Sequence, residues 1–147
     1  MSLCLVANWK LNGSKEFNHK WALEFFRNFH GQNFSFLGIA PASLFIDHLK
    51  EVIADHSIKI GAQNIDFEET GARTGEISAS MIKDLGCEFS IIGHSERRMY
   101  FHETNKLICQ KLIQANNNSL IPILCIGESA EENKNNDTFN VIERQII

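Results

Sequence analysis

Two stretches of this sequence carry residues equipped for electrophilic or acid–base chemistry. IIGHSERR, Ile91 to Arg98, sets a short apolar run beside one glycine, one histidine and charges of both signs. ANWKLNG, Ala7 to Gly13, sets Asn8 and Lys10 directly behind another apolar run. A histidine at a helix entry meets the positive end of the macrodipole, which favours the neutral ring. Neutral imidazole still donates one N–H, so His94 is a candidate electrophile for a carbonyl oxygen. Lys10 offers a fixed positive charge for an anionic substrate or a developing enolate. Each has a plainer alternative: His94 as a hydrogen-bonded structural histidine, Lys10 as a solvated surface lysine.

The elements that would position these groups follow from hydrophobic patterning. Short β-rich apolar runs occur at Leu3 to Ala7, Phe34 to Ala40, Ile58 to Ala62, Phe89 to Ile92 and Leu120 to Ile126. Between them, Phe17, Trp21, Phe25 and Phe29 share one helical face, as do Phe45, Leu49, Val52 and Ile53, and Ile108, Leu112 and Ala115. Ser14, Ser43, Ser78 and Ser95 are candidate N-caps. Strands that are continuously apolar are buried on both faces, and with intervening helices they argue for an α/β fold with a parallel sheet. Ligand sites in such folds lie at the carboxyl ends of the strands. Those ends supply Asn8 and Lys10, Gln63 and Asn64, His94 to Arg98, and Gly127 and Glu128. One connection, Gly61 to Ser78, is long, glycine-containing and aperiodic, which suggests a binding or interface loop or a surface excursion.

At 147 residues the chain is expected to form a single domain over 1–147. A net charge of −4 with no basic stripe argues against a nucleic-acid partner. The amino-terminal apolar run is too short for a signal peptide or a membrane span, so a cytoplasmic protein without membrane association is expected. Cys4, Cys87, Cys109 and Cys125 form no CxxC pair and have no histidine at metal-ligand spacing, so neither a metal nor a disulfide framework is expected. Three architectures fit five βα units. A doubly wound flavodoxin-like domain fits the length best, but ANWKLNG is no flavin-phosphate cradle. A single Rossmann unit would need GxGxxG, which does not occur. The eightfold β/α barrel takes about 250 residues, of which this chain would hold about five units of eight.

ANWKLNG, GAQN, TGEIS, IIGHSERR and LCIGES, in this order and spacing, closely resemble the triosephosphate isomerase family along the whole chain. The resemblance implies a parallel β/α barrel, here incomplete, and interconversion of dihydroxyacetone phosphate and glyceraldehyde 3-phosphate through an enediolate, with no cofactor and no metal. It implies that His94 polarises the substrate carbonyl, that Lys10 contacts the anionic substrate with Asn8 and Trp9 beside it, and that Glu96 handles or positions a proton. Gln63, Thr74 and Arg97 match interface residues of a homodimer, in which the long third loop reaches the neighbouring subunit. Cys125 matches a packing cysteine. The family's catalytic glutamate, in a motif like AYEPVW, its closing lid and its phosphate loops match nothing in this sequence, which ends at Ile147 within the expected fifth helix. The chain alone is therefore expected to be almost inactive. An alternative expectation is a non-catalytic remnant acting as an interaction or assembly module.

Overall fold

The computed structural model describes residues 3–29, 34–53 and 57–146. Five strands form one sheet: β1 (Leu3–Asn8), β2 (Phe34–Ala40), β3 (Lys59–Ala62), β4 (Phe89–Ile92) and β5 (Ile121–Leu124). All neighbouring pairs are parallel and the spatial order is the chain order, β1-β2-β3-β4-β5. Helices α1 (Lys15–Asn28), α2 (Ile46–Val52) and α3 (Ala79–Asp84) fill the first three connections. The fourth carries α4 (Ser95–Tyr100) and α5 (Asn105–Asn117), and α6 (Ala130–Lys134) and α7 (Thr138–Ile146) follow β5. Ile147 lies outside the described residues.

This order decides among the three architectures. A doubly wound sheet reverses its strand order at a switch point and carries helices on both faces. Here each crossover leads to the next strand in line, and consecutive crossovers of one hand put their helices on one face. Packing shows the same segregation. The larger core joins Ala22, Ile46, Leu49, Ile82, Ile108 and Ala115 of the helices to Leu37, Ile39, Ile60 and Ile92 of the strands. The opposite sheet face is lined by strand-derived residues, Phe89, Ile91, Ala40, Val6, Phe36, Ile123 and Cys125. A sheet with helices outside and side chains stacked inside is a partial β/α barrel. The flavodoxin-like reading favoured by length is overturned.

Phe89 sets the spacing of the inner face. Its ring is fully buried, and it lies where a Cβ on Gly61 would come within 2.5 Å and one on Gly38 within 2.8 Å. Two strands thus lack side chains because a third strand's aromatic ring occupies their space. Edge strands β1 and β5 leave apolar side chains open, with Leu3 52%, Leu5 51% and Ile121 47% exposed.

Two of the four expected caps hold. Ser14 accepts the Phe17 N–H and Ser78 the Met81 N–H. Ser43 instead opens a short 3-10 turn, Ser43–Phe45, with Ala42 at the cap position and no side-chain bond. Ser95 is already helical, and His94 caps α4. A ring nitrogen two residues ahead of an amide reaches it as a cap oxygen does, a use of histidine that cap preferences do not suggest.

Candidate active site

The carboxyl ends of β1, β3 and β4 open onto one cleft of about 590 Å³, lined among others by Asn8, Lys10, Gln63, His94, Glu96 and Arg97. Lys10 sits at φ 52°, a left-handed conformation that costs a non-glycine residue roughly 1–2 kcal/mol. Several contacts hold the surrounding turn. Asn8 Oδ1 accepts the Lys10 N–H at 3.0 Å, Asn12 Nδ2 donates to Trp9 O at 2.9 Å, and Gln63 Nε2 donates to Lys10 O at 3.0 Å. The same Gln63 amide donates to Ala40 O at 2.9 Å, so one side chain joins the ends of β2 and β3 to the turn after β1. Such over-determination is what maintains local strain at a site.

Held this way, the Lys10 ammonium donates to Glu96 Oε1 at 2.8 Å, across 86 residues of sequence. That hydrogen bond, with Lys10's charge, keeps the Glu96 carboxyl below its ordinary range. Glu96 also meets His94: its backbone N–H donates to the ring Nδ1 at 3.3 Å, and its Oε2 lies 3.4 Å from the same nitrogen. A nitrogen that accepts a backbone N–H carries no proton, so this contact assigns the ring proton to Nε2. The ring is about one-fifth exposed and lines the cleft. The arrangement supplies a ring N–H donor, a fixed cation and a carboxylate that orients the cation.

Below the cleft floor lies a network that patterning did not indicate. Glu103 Oε1 accepts from Lys111 Nζ and from Arg97 Nε, both at 2.5 Å, and Lys111 also donates to Asn64 Oδ1 at 2.8 Å. Glu103 is 7% and Lys111 4% exposed. Burial pushes the Lys111 ammonium down, more than the hydrogen bond and charge of Glu103 raise it. The sequence signal available was a lysine three residues after Ile108 and four before Ala115 on a buried helical stripe, a position that demands a partner.

Other expected site residues lie elsewhere. Trp9 turns toward α1, with its ring 5.2 Å from those of Phe17 and Trp21. Glu128 is outside the cleft and accepts from Asn133 Nδ2 and Thr138 Oγ1. Thr74 is exposed on the long third loop. That loop is closed on itself: Arg73 donates twice to Asp66, through Nε at 2.7 Å and Nη2 at 2.8 Å, and its guanidinium lies 4.2 Å from the Phe67 ring centroid. Burial raises the Asp66 carboxyl, but Arg73 and the Glu68 N–H together hold it below its ordinary value. Among the described residues no cluster of three or more His, Cys, Asp or Glu side chains is placed to hold a metal ion.

Residues 3–147 match the family model for triosephosphate isomerase. This chain belongs to the triosephosphate isomerase family. Relatives named triosephosphate isomerase include that of Baumannia cicadellinicola, 41% identical over 143 residues, which are 97% of this chain and 56% of the relative. That of Psychromonas ingrahamii is 37% identical over 148 residues, 97% of this chain and 57% of the relative. An Escherichia coli protein of the same name is 42% identical over 142 residues, 97% of this chain and 56% of the relative. The chain thus spans a little over half the length of these triosephosphate isomerases, and what it shares with them includes every strand of the half-barrel.

Proposed function

We propose that this chain carries the carbonyl-polarising half of a triosephosphate isomerase site, for interconversion of dihydroxyacetone phosphate and glyceraldehyde 3-phosphate. One observation carries the reading: Lys10 meets Glu96 across 86 residues of sequence at 2.8 Å, and Glu96 meets His94 at 3.3 to 3.4 Å, at the strand ends of a half-barrel. His94 Nε2–H donates to the substrate carbonyl as the neighbouring carbon loses a proton, and stabilises the oxygen of the resulting enediolate. The Lys10 ammonium offsets the charge that develops there and that of the phosphate. Glu96 aligns Lys10, and the buried Glu103 and Lys111 hold Arg97 and Asn64 at the rim.

These 147 residues contain no counterpart of the family's glutamate base or phosphate loops. A positioned base contributes roughly 10²- to 10⁴-fold, so the chain by itself turns over very slowly. A homodimer in the cytoplasm accompanies this reading, with the stapled third loop carrying Thr74 toward the neighbouring copy, near Gln63 and Arg97. No helix among the described residues is long and apolar enough to cross a membrane. The test is a coupled isomerase assay on the chain alone and on the chain joined to the carboxyl-terminal part of a relative. Turnover is expected in the joined protein, reduced about 10²-fold or more by His94→Gln. Turnover indifferent to that substitution refutes the reading. A second reading, an assembly module without turnover, is favoured by the half-exposed Leu3, Leu5 and Ile121 on the two edge strands, and the joined protein would then be inactive.

A further inference from the structure

We propose that Arg98 is the positioning residue of this site: it grips the peptide groups on both sides of His94 and thereby aims the ring Nε2–H into the cleft. The inference rests on the reading of His94 as the group that polarises the carbonyl. Arg98's backbone N–H donates to His94 O at 3.1 Å, and its Nε donates to Gly93 O at 2.9 Å. The carbonyl immediately before the His94 Cα is therefore held by the Arg98 side chain, and the one after it is shared between the backbone N–H groups of Arg98 and, at 2.8 Å, Arg97. The remaining arms of the guanidinium reach Asn105 Oδ1 at 2.7 Å and Cys125 O at 3.2 Å. Asn105 passes the connection to α7 by donating to Arg144 O at 2.8 Å.

The chemistry of these partners shows what the cation is for. Among the described residues Arg98 forms no ion pair, and all its side-chain acceptors are neutral carbonyl oxygens. The rung from Cys125 N–H to Ile92 O is shared between the ends of β4 and β5. Past it the chain turns at Gly93, φ 71°, and the buried Gly93 carbonyl finds its donor in Arg98. A Cβ at Gly93 would lie 3.2 Å from Arg98 Nη2, so the close approach of turn and guanidinium also depends on glycine. Only a planar fork with several N–H groups meets three acceptors in different directions; an ammonium on a flexible stem does not. Among the described residues the ring itself is secured by a single 3.3 Å hydrogen bond, near the weak end of the range, so its aim depends on the backbone from which it hangs.

The test reads the His94 ring directly in the 147-residue chain, without substrate or turnover. Nitrogen-15 ring signals are assigned by their loss in His94→Gln. The parent should show one neutral tautomer with its proton on Nε2. Arg98→Met should show tautomer-averaged signals and a displaced Glu96 amide, Arg98→Lys a partial change, and methylguanidinium added to Arg98→Ala should restore the parent pattern. Parent-like ring signals in folded Arg98→Met, with only the melting temperature lowered, would reduce Arg98 to a structural tie and overturn the proposal. Asn105→Ala frees one arm of the fork and serves if the arginine variants do not fold; an unchanged ring signature there also overturns it. Absence of isomerase activity in the joined protein would count against the functional reading while leaving this result standing.

Discussion

Replacing Glu103 by glutamine keeps its shape and removes the one negative charge on which Lys111 and Arg97 converge. Both partners of the Glu103–Lys111 pair have side chains only 5% exposed, so water cannot replace the lost interaction. Removing one partner of a buried pair costs about 3–5 kcal/mol. Arg97, with a quarter of its side chain exposed, can turn partly to solvent, which places the expected loss for Glu103→Gln near 3 kcal/mol. Lys111→Met should cost less, about 1–2 kcal/mol, because Arg97 still neutralises Glu103 and an apolar side chain suits the site. The double variant should be more stable than the sum predicts, with coupling of about 1–2 kcal/mol. Urea unfolding followed by circular dichroism reads all three from midpoints at unchanged slope.

The pH dependence has a definite sign. Lys111's folded pKa lies below its unfolded 10.5, so the unfolded chain binds the extra proton between the two values. Its penalty is present at lower pH, and stability rises as pH climbs through that window below 10.5. Glu103→Gln removes the interactions that raise the ammonium's pKa and extends the window downward. A Glu103→Gln loss under about 1 kcal/mol, or a Lys111→Met loss equal to it, would refute the electrostatic argument.

Further expectations follow from the same geometry. Gly61→Ala should destabilise by about 1–3 kcal/mol, since its Cβ would meet the buried Phe89 ring at 2.5 Å, and Phe89→Leu in the same chain should recover part of the loss in urea titrations. The Asp66–Arg73 staple, whose carboxyl is held below 3.8, contributes above the unfolded pKa and is lost as pH falls through the folded one. Acid melts should therefore show a steeper decline below about pH 4 in the parent than in Asp66→Asn. A thiol reagent near pH 8 should modify exposed Cys4 and Cys109 first. Burial pushes the Cys87 thiol up to about 11, so it should react only on unfolding, and raises that of half-buried Cys125, which should react more slowly than Cys4 and Cys109, as peptide mapping after timed quenching would show.

Much of the fold was legible because strand and helix signals are short-ranged. The five apolar runs became the five strands, within a residue or two at their ends, and the α1 and α5 faces were marked by residues three and four apart. IIGHSERR and ANWKLNG announced the site because polar groups that follow a buried strand have few structural reasons to be there. Strand order was implied by the family resemblance but was not legible in the patterning itself. Length favoured a doubly wound sheet, and periodicity cannot say which side of the sheet a helix crosses.

Tertiary structure alone decided the pairings that span long stretches of chain. Gln63 meets Lys10 across 53 residues, Lys10 meets Glu96 across 86, and Lys111 meets Asn64 across 47. It also made His94 rather than Ser95 the cap of α4. These contacts depend on where adjacent strands end and how their turns leave the sheet. The sequence by itself determined which segments would be strands and which polar groups would stand at their ends; pairing the parallel strands in chain order determined which of those groups could touch, because that order brings the ends of β1, β3 and β4 over one cleft.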